Sequence, residues 1–259
     1  MVVIDAAECA RRGAIGAVGA VPGTLAAHPF DVIKMLQQVH GEGLLKTVAA
    51  RAGTGGLAAF YHGVGAGVAQ KVCTRGPVFL ASELSTQTVQ SATGLSRDSA
   101  VFFGSAISGY ITGAAAAPAE WQKVQRGVAG TGSGLRSMLQ ARGGTRRVHG
   151  AGLRNGVFDC TFFGTEHALS KHAGASPAAS YACAAAMAVA LDFPLDVAVK
   201  RSMAAPLSSS VELPLSATLR LLRERRWNVF RGLAPKAVEF AVSYAVTGYV
   251  SSFVVAWLS

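Results

Sequence analysis

Four long stretches of the sequence contain no Asp, Glu, Lys or Arg, and they constrain the fold more than any other feature. They cover residues 13–30, 99–119, 172–191 and 240–259 and are 18, 21, 20 and 20 residues long. A helix of about 20 apolar residues crosses a hydrocarbon core roughly 30 Å thick, because each residue adds about 1.5 Å. The sequence therefore predicts membrane-spanning helices. The alternative is a soluble helical protein, whose single core would have to bury four such helices.

Two further apolar regions, at about 64–90 and 151–170, complete a set of six predicted spans. Charged residues interrupt both regions: Lys71, Arg75 and Glu83 in the former, and Arg154, Asp159 and Glu166 in the latter. Because a charge in lipid is costly, these side chains are expected to face a bundle interior or a watery cavity. Composition agrees with a membrane protein, since only 15% of the residues are charged, against about a quarter in a typical soluble domain.

The basic residues are concentrated in three segments between the predicted spans. Residues 31–62, 120–150 and 196–231 hold sixteen of the 24 Lys and Arg residues, in a chain of net charge +10. Because Lys and Arg favour the inner side of a membrane, we expect these loops on one side and both termini on the other. The charge thus indicates topology, and we predict no nucleic-acid partner. A basic face also attracts anionic lipids, with cardiolipin as a candidate.

Each pair of spans carries the same ordered features, which indicates three repeats of about 10–92, 98–172 and 176–259. An apolar span is followed by Pro-x-acid, a basic loop, an aromatic-x-Gly element and a second span. The three copies read HPFDVIK (28–34) with FYHG (60–63), APAEWQKVQ (117–125) with RVHG (147–150), and FPLDVAVKR (193–201) with VFRG (229–232). Each proline follows a run long enough to cross most of a bilayer, so it is expected to bend that helix rather than start a new one.

This pattern resembles the signature of the mitochondrial carrier family, Pro-x-Asp/Glu-x-x-Lys/Arg-x-Arg/Gln repeated three times, over nearly the whole chain. The resemblance implies an all-α membrane protein in which six tilted helices, in three helix-pair repeats, surround a central cavity. It also implies passage of a solute across the mitochondrial inner membrane by alternating access. Both termini are then expected on the intermembrane-space side.

The signature residues have a physical role in such a ring. An acid and a base three residues apart lie on neighbouring turns of one helical face, so each base can reach the acid of the adjacent repeat and close the cavity floor. The alternative for any one pair is an ordinary surface salt bridge. The predicted gate network comprises Pro29, Asp31, Lys34, Pro118, Glu120, Lys123, Gln125, Pro194, Asp196, Lys200 and Arg201.

Two departures from the family pattern suggest a degenerate member. Leu36 occupies the last signature position of repeat one, and Val199 occupies the basic position of repeat three. Lys200 follows one residue later, rotated by about 100° around the helix, so we expect two good ion pairs and one doubtful pair. At the other end of the even-numbered spans, the outer motifs that begin at Ser82, Thr165 and Tyr249 lack a base, so the outer gate is expected to be absent.

The resemblance places solute contacts about two turns after each aromatic-x-Gly. Two registers remain open in the second repeat: Val157 and Phe158, or Arg154 and Asn155. We favour the latter because a charge within a span needs a polar cavity. The predicted binding residues are Gln70, Lys71, Arg75, Arg154, Asn155 and Glu239, and they suit a small anionic or zwitterionic metabolite. The alternative is that Lys71, Arg154, Asp159 and Glu239 only pair with one another across the bundle.

Two functions of different classes follow. The first is solute transport. The second is a transport-inactive carrier fold that serves as an accessory subunit of a respiratory or ATP-synthase complex, which the broken third signature favours. We predict no enzyme, cofactor or metal, since GVGAG (63–67) does not match GxGxxG and the histidines lack the spacing of metal ligands.

Overall fold

The computed structural model describes residues 6–129, 143–174, 176–206, 211–225 and 230–258, together with residues 137 and 140. This part of the chain is helical and contains no strand. Six helices of 26 to 35 residues are joined by turns and by two 12-residue helices. In chain order they are α1 (Ala6–His40), α2 (Leu44–Gly55), α3 (Val64–Thr93), α4 (Arg97–Val124), α5 (Gly144–His172), α6 (Pro177–Ala204), α7 (Pro214–Arg225) and α8 (Leu233–Leu258).

The six long helices pack in chain order, and the last returns to the first. Helix α1 packs on α3, α3 on α4, α4 on α5 and α5 on α6, while α8 packs closely on α1. Helix α6 meets the start of α8 through side chains: Phe193 stacks on Phe230 at 6.2 Å between ring centroids, in a cluster that includes Leu233 and Phe240. This order brings side chains from all six long helices to one central space.

Glycines allow α4 to approach both of its neighbours. A Cβ atom at Gly104 would lie 2.5 Å from the Thr86 backbone on α3, and one at Gly109 would lie 2.6 Å from the Asn155 carbonyl oxygen on α5. Real Cβ atoms do not come so close to backbone, so only glycine permits these helix spacings. The close packing of α4 therefore depends on these glycines.

The signature prolines lie inside helices rather than at helix starts. Helix α1 continues past Pro29, α4 past Pro118 and α6 past Pro194. As predicted, no new helix begins at these positions. After Val124 the chain continues as a π-helical turn, Gln125–Ala129.

The bundle has an apolar outside and a polar inside. On α4, Phe103, Ile107 and Ile111 are about half exposed, whereas Ser105 and Ser108 are fully buried. A soluble protein shows the opposite arrangement, because water favours polar groups outside and apolar groups inside. Within the described residues, two helices are long and apolar enough to cross a bilayer, Arg97–Val128 and Ala179–Ala204.

Helix α5 ends at His172 and α6 begins at Pro177, close to the limits of 172 and 176 given to the second and third repeats, so the span within the charge-free run 172–191 begins at Pro177. One predicted boundary is wrong. The span expected at 151–170 begins earlier, since α5 starts at Gly144 after Gly143 (φ 80°). RVHG (147–150) therefore lies inside the helix rather than in a turn.

Candidate solute cavity and ion-pair network

A central cavity of about 410 Å³ is lined by residues of all six long helices. Among the described residues its charged lining is balanced, with six basic and six acidic side chains. These are Lys34, Lys71, Lys123, Arg154, Lys200 and Lys236, and Asp31, Glu120, Asp159, Asp192, Asp196 and Glu239. Charges enclosed in a bundle are stable only when they are paired. Their partners within the protein therefore determine which charged groups can bind a solute.

The first signature acid is paired with bases of two repeats. Lys123 Nζ on α4 lies 2.9 Å from Asp31 Oδ2 on α1, and both side chains are less than one-tenth exposed. Lys34 Nζ lies 2.9 Å from the other oxygen of the same carboxylate. The base of repeat two thus contacts the acid of repeat one.

The displaced base of the third repeat also contacts the acid of the repeat before it. Lys200 Nζ lies 2.5 Å from Glu120 Oε1, and Arg154 of α5 holds both oxygens of that carboxylate, with Nη2 2.9 Å from Oε2. Glu120 and Lys200 are almost completely buried. The doubtful pair of the sequence analysis is therefore present, because the long lysine side chain compensates for its rotation around α6.

The third pair of the ring is replaced. Lys34 contacts Glu239 at 2.9 Å rather than the expected Asp196, because close packing of α1 on α8 brings the Glu239 carboxylate beside it. Asp196 instead lies 3.0 Å from Arg154 and 3.4 Å from Lys236, and accepts a hydrogen bond from Gln38 at 2.9 Å. Residues of the even-numbered spans thus complete the network.

The three glycines of the aromatic-x-Gly elements pack in a cyclic relation to the signature bases. A Cβ atom at Gly63 would lie 3.0 Å from the carbonyl oxygen of Lys123, and one at Gly232 would lie 3.2 Å from that of Lys34. A Cβ at Gly150 would lie 3.3 Å from Val199 Cγ2. Each glycine therefore packs on the basic position of the next repeat, although only Gly63 and Gly232 have a positive φ.

The last signature positions of repeats two and three bind backbone. Gln125 Nε2 donates a hydrogen bond of 2.6 Å to the Met203 carbonyl oxygen on α6, and Arg201 Nε donates one of 2.7 Å to the Gln38 carbonyl oxygen on α1. Both bonds join the ends of helices that belong to different repeats. They reinforce the same end of the bundle as the ion pairs.

Five of the six predicted binding residues line the cavity: Gln70, Lys71, Arg154, Asn155 and Glu239. Lys71 Nζ lies 3.4 Å from Glu239 Oε1, and Asn155 Oδ1 accepts hydrogen bonds from Arg154. The side chain of Arg75 on α3 lies outside the described residues.

Both registers considered for the second repeat reach the cavity in part. Phe158 lines it beside Arg154 and Asn155, whereas Val157 packs against the buried core near Ala151. Phe158 stacks on Phe162 and contacts Phe240 inside the bundle.

Residues 5–92 match the family model described as mitochondrial carrier protein. These residues include α1, α2 and nearly all of α3. This match, over the first third of the chain, supports membership of the mitochondrial carrier family. No curated protein matches it.

Two residues that the signature did not indicate also line the cavity. Asp192 on α6 is 2% exposed, and its Oδ2 lies 3.9 Å from Lys236 Nζ on α8. Lys236 follows Gly232 by one turn and precedes Glu239 by three residues. A carboxylate two residues before Pro194, deep in an apolar span, was the sequence signal for Asp192.

At the opposite end of the bundle, ion pairs of the carrier join neighbouring helices only. Glu83 on α3 lies 3.0 Å from Arg97 at the start of α4. Asp98 of α4 lies 2.6 Å from Lys171 and close to His167 and His172 on α5. Among the described residues, no ion pair at this end crosses the cavity.

Two basic residues near the start of α5 bind backbone within the protein. Arg147 is buried and donates a hydrogen bond of 2.9 Å to the Ser202 carbonyl oxygen, and Arg146 donates one of 2.6 Å to that of Val211. The side chains of Arg142, Arg225 and Arg226 lie outside the described residues.

Proposed function

We propose that this carrier moves a small anionic or zwitterionic metabolite across the mitochondrial inner membrane by alternating access, through a bundle of six membrane-spanning helices. One observation supports this most strongly: a cavity lined by all six long helices ends at buried ion pairs between signature residues. Members of this family are transporters rather than enzymes.

The ion pairs form the closed floor of the cavity, which a solute has to open. Lys34 and Lys71 share Glu239, and Arg154 holds Glu120 and Asp196. A solute carboxylate that binds Lys71 or Arg154 competes with these acids and lowers the cost of separating them. Binding energy at the cavity is thereby coupled to opening of the floor, as a two-state switch requires.

The test is uptake by purified protein in liposomes. We expect accumulation of at least one radiolabelled compound from a panel of small carboxylates, amino acids and amines, and its loss in Arg154→Gln. Lys171→Gln, at the far end of the bundle, is the matched control and should transport normally. Folded protein that takes up none of the panel would contradict transport.

A second function is favoured by the same charges. Arg154 and Glu239 already have charged partners within the protein. Lys34 pairs with Glu239 instead of Asp196. Both observations are expected if the cavity charges only hold the bundle together. The chain would then be an accessory subunit of a respiratory or ATP-synthase complex. On native gels of mitochondria it should migrate with such a complex; migration only at its own mass would rule this out.

The basic side of the molecule also suits lipid contacts. Lys46, with about three-quarters of its side chain exposed, and Arg220 lie on the short helices α2 and α7. Exposed bases beside a membrane attract anionic headgroups, and we include cardiolipin among the proposed partners.

A further inference from the structure

One wall of the cavity is aromatic and is formed by α5, α6 and α8. Phe158 and Phe162 stack with centroids 6.1 Å apart, Tyr181 lies 5.6 Å from Phe162, and Phe240 lies 5.8 Å from Phe158. All four rings line the cavity. An aromatic face attracts cations through its quadrupole, and Lys236 Nζ already lies 5.6 Å from the centroid of Phe240.

Two carboxylates that line the cavity, on helices α5 and α6 of this wall, are incompletely neutralised. Asp159 lies on α5 between Phe158 and Phe162 in sequence, lines the cavity, and has no ion-pair partner among the described residues. Asp192 is 98% buried, and its Oδ1 accepts no hydrogen bond from any described residue. Its one basic neighbour there, Lys236, lies nearer to Asp196, at 3.4 Å against 3.9 Å.

The remaining charges of the cavity leave this wall with an excess of acid. Arg154, one turn before Asp159, is engaged by Glu120 and Asp196, and Lys200 is engaged by Glu120. A carboxylate in a low-dielectric cavity is stable when a cation joins it. Carboxylates combined with aromatic faces are the chemistry that recognises an organic ammonium group.

We propose that the α5–α6–α8 wall binds the ammonium group of an organic solute, with Asp159 and Asp192 as its counter-charges and the aromatic rings against its apolar part. This rests on the proposed transport function and narrows its substrate class to amine-bearing compounds, including zwitterions. A carboxylate group on the same molecule then has Lys71 across the cavity.

The test compares four probes that share a phenylalkyl skeleton and differ in their polar groups, and hence in charge: phenethylamine, phenylalanine, 3-phenylpropionate and 2-phenylethanol. Binding is measured as the rise in melting temperature of the purified full-length protein in detergent, since a ligand that binds the folded state stabilises it. Phenethylamine should stabilise the protein strongly and phenylalanine measurably. Phenylpropionate and phenylethanol should have little effect. Equal stabilisation by phenylpropionate and phenethylamine would overturn the proposal.

Matched variants locate the site. Asp159→Asn and Asp192→Asn should each weaken the apparent affinity for phenethylamine by about tenfold, the effect of losing one charged contact. Asp98→Asn, outside the cavity, should leave it unchanged. Wild-type affinity in both cavity variants would also overturn the proposal. If either variant fails to fold, the probe comparison on the wild-type protein decides whether the wall binds an ammonium group. Phe162→Leu then supplies an uncharged substitution on the same wall.

The two proposals fail separately. Amine binding that depends on Asp159, without uptake of any compound, would support the ammonium site and contradict transport. Uptake of anions alone, with no stabilisation by phenethylamine, would support transport and contradict the ammonium site.

Discussion

At the scale of single residues, position 199 shows that matching a family pattern and fitting this bundle are different demands. Val199 is 1% exposed, belongs to the buried core and packs against Gly150. Lys200 makes the ion pair that the pattern assigns to position 199. The family residue at 199 would therefore place a charge in apolar surroundings.

Accordingly, Val199→Lys should destabilise the protein by at least about 2 kcal/mol, because the new ammonium group has no partner there. Thermal unfolding in detergent measures the effect, and Val199→Ala, which makes a small cavity, provides the comparison. A lysine variant as stable as the wild type would show that position 199 has access to the cavity.

Glu120 holds two bases of the network, Arg154 and Lys200, and is fully buried. Glu120→Gln leaves two buried cations short of a counter-charge and should cost about 3–5 kcal/mol. Glu42→Gln removes the exposed partner of Lys46 and should cause no measurable change. Similar melting temperatures for both variants would contradict the buried network.

The residue scale also marks the limit of inference from sequence. Asp31, Lys34, Glu120 and Lys123 follow from the signature, since an acid and a base three residues apart share a helical face. The pairing of Lys34 with Glu239 instead of Asp196 does not follow from the signature, because it depends on how closely α8 packs on α1.

At the scale of helices, α4 is held by close approach rather than by large side chains. The Cβ of an alanine at 109 would lie 2.6 Å from backbone of α5. Gly109→Ala should therefore separate the two helices and cost about 1–3 kcal/mol. Gly53→Ala on α2, where nothing lies within 4 Å, should be neutral or stabilising by up to about 1 kcal/mol. Equal stability of the two variants in thermal unfolding would refute the close packing.

Helix existence was predictable, whereas some helix ends were not. Charge-free runs locate α4 and the first half of α6, because apolar and small residues dominate there. The start of α5 was missed because RVHG occupies the place of a turn that Gly143 supplies seven residues earlier. The junction of α5 and α6 was indicated by the limits of the repeats rather than by charge, since Gly174 and Ser176 interrupt a helix without adding charge.

At the scale of the whole molecule, charge asymmetry gives a testable orientation. With the basic loops inside, Lys46 on α2 faces the matrix and Lys171 at the end of α5 faces the intermembrane space. In a background with the native cysteines replaced by serine, Lys171→Cys should react with an impermeant maleimide in mitochondria stripped of their outer membrane. Lys46→Cys should react only after detergent is added. The reverse labelling would invert the proposed topology.

We propose that the signature ion pairs close one side of the cavity and that they separate and re-form in each transport cycle. The most direct measurement is uptake into liposomes by Lys123→Ala beside Lys46→Ala, with folding checked by thermal unfolding. Lys123 holds Asp31 inside the network, whereas the Lys46–Glu42 pair is exposed. We predict that Lys123→Ala loses uptake and Lys46→Ala keeps it. Wild-type uptake by a folded Lys123→Ala variant would contradict the account.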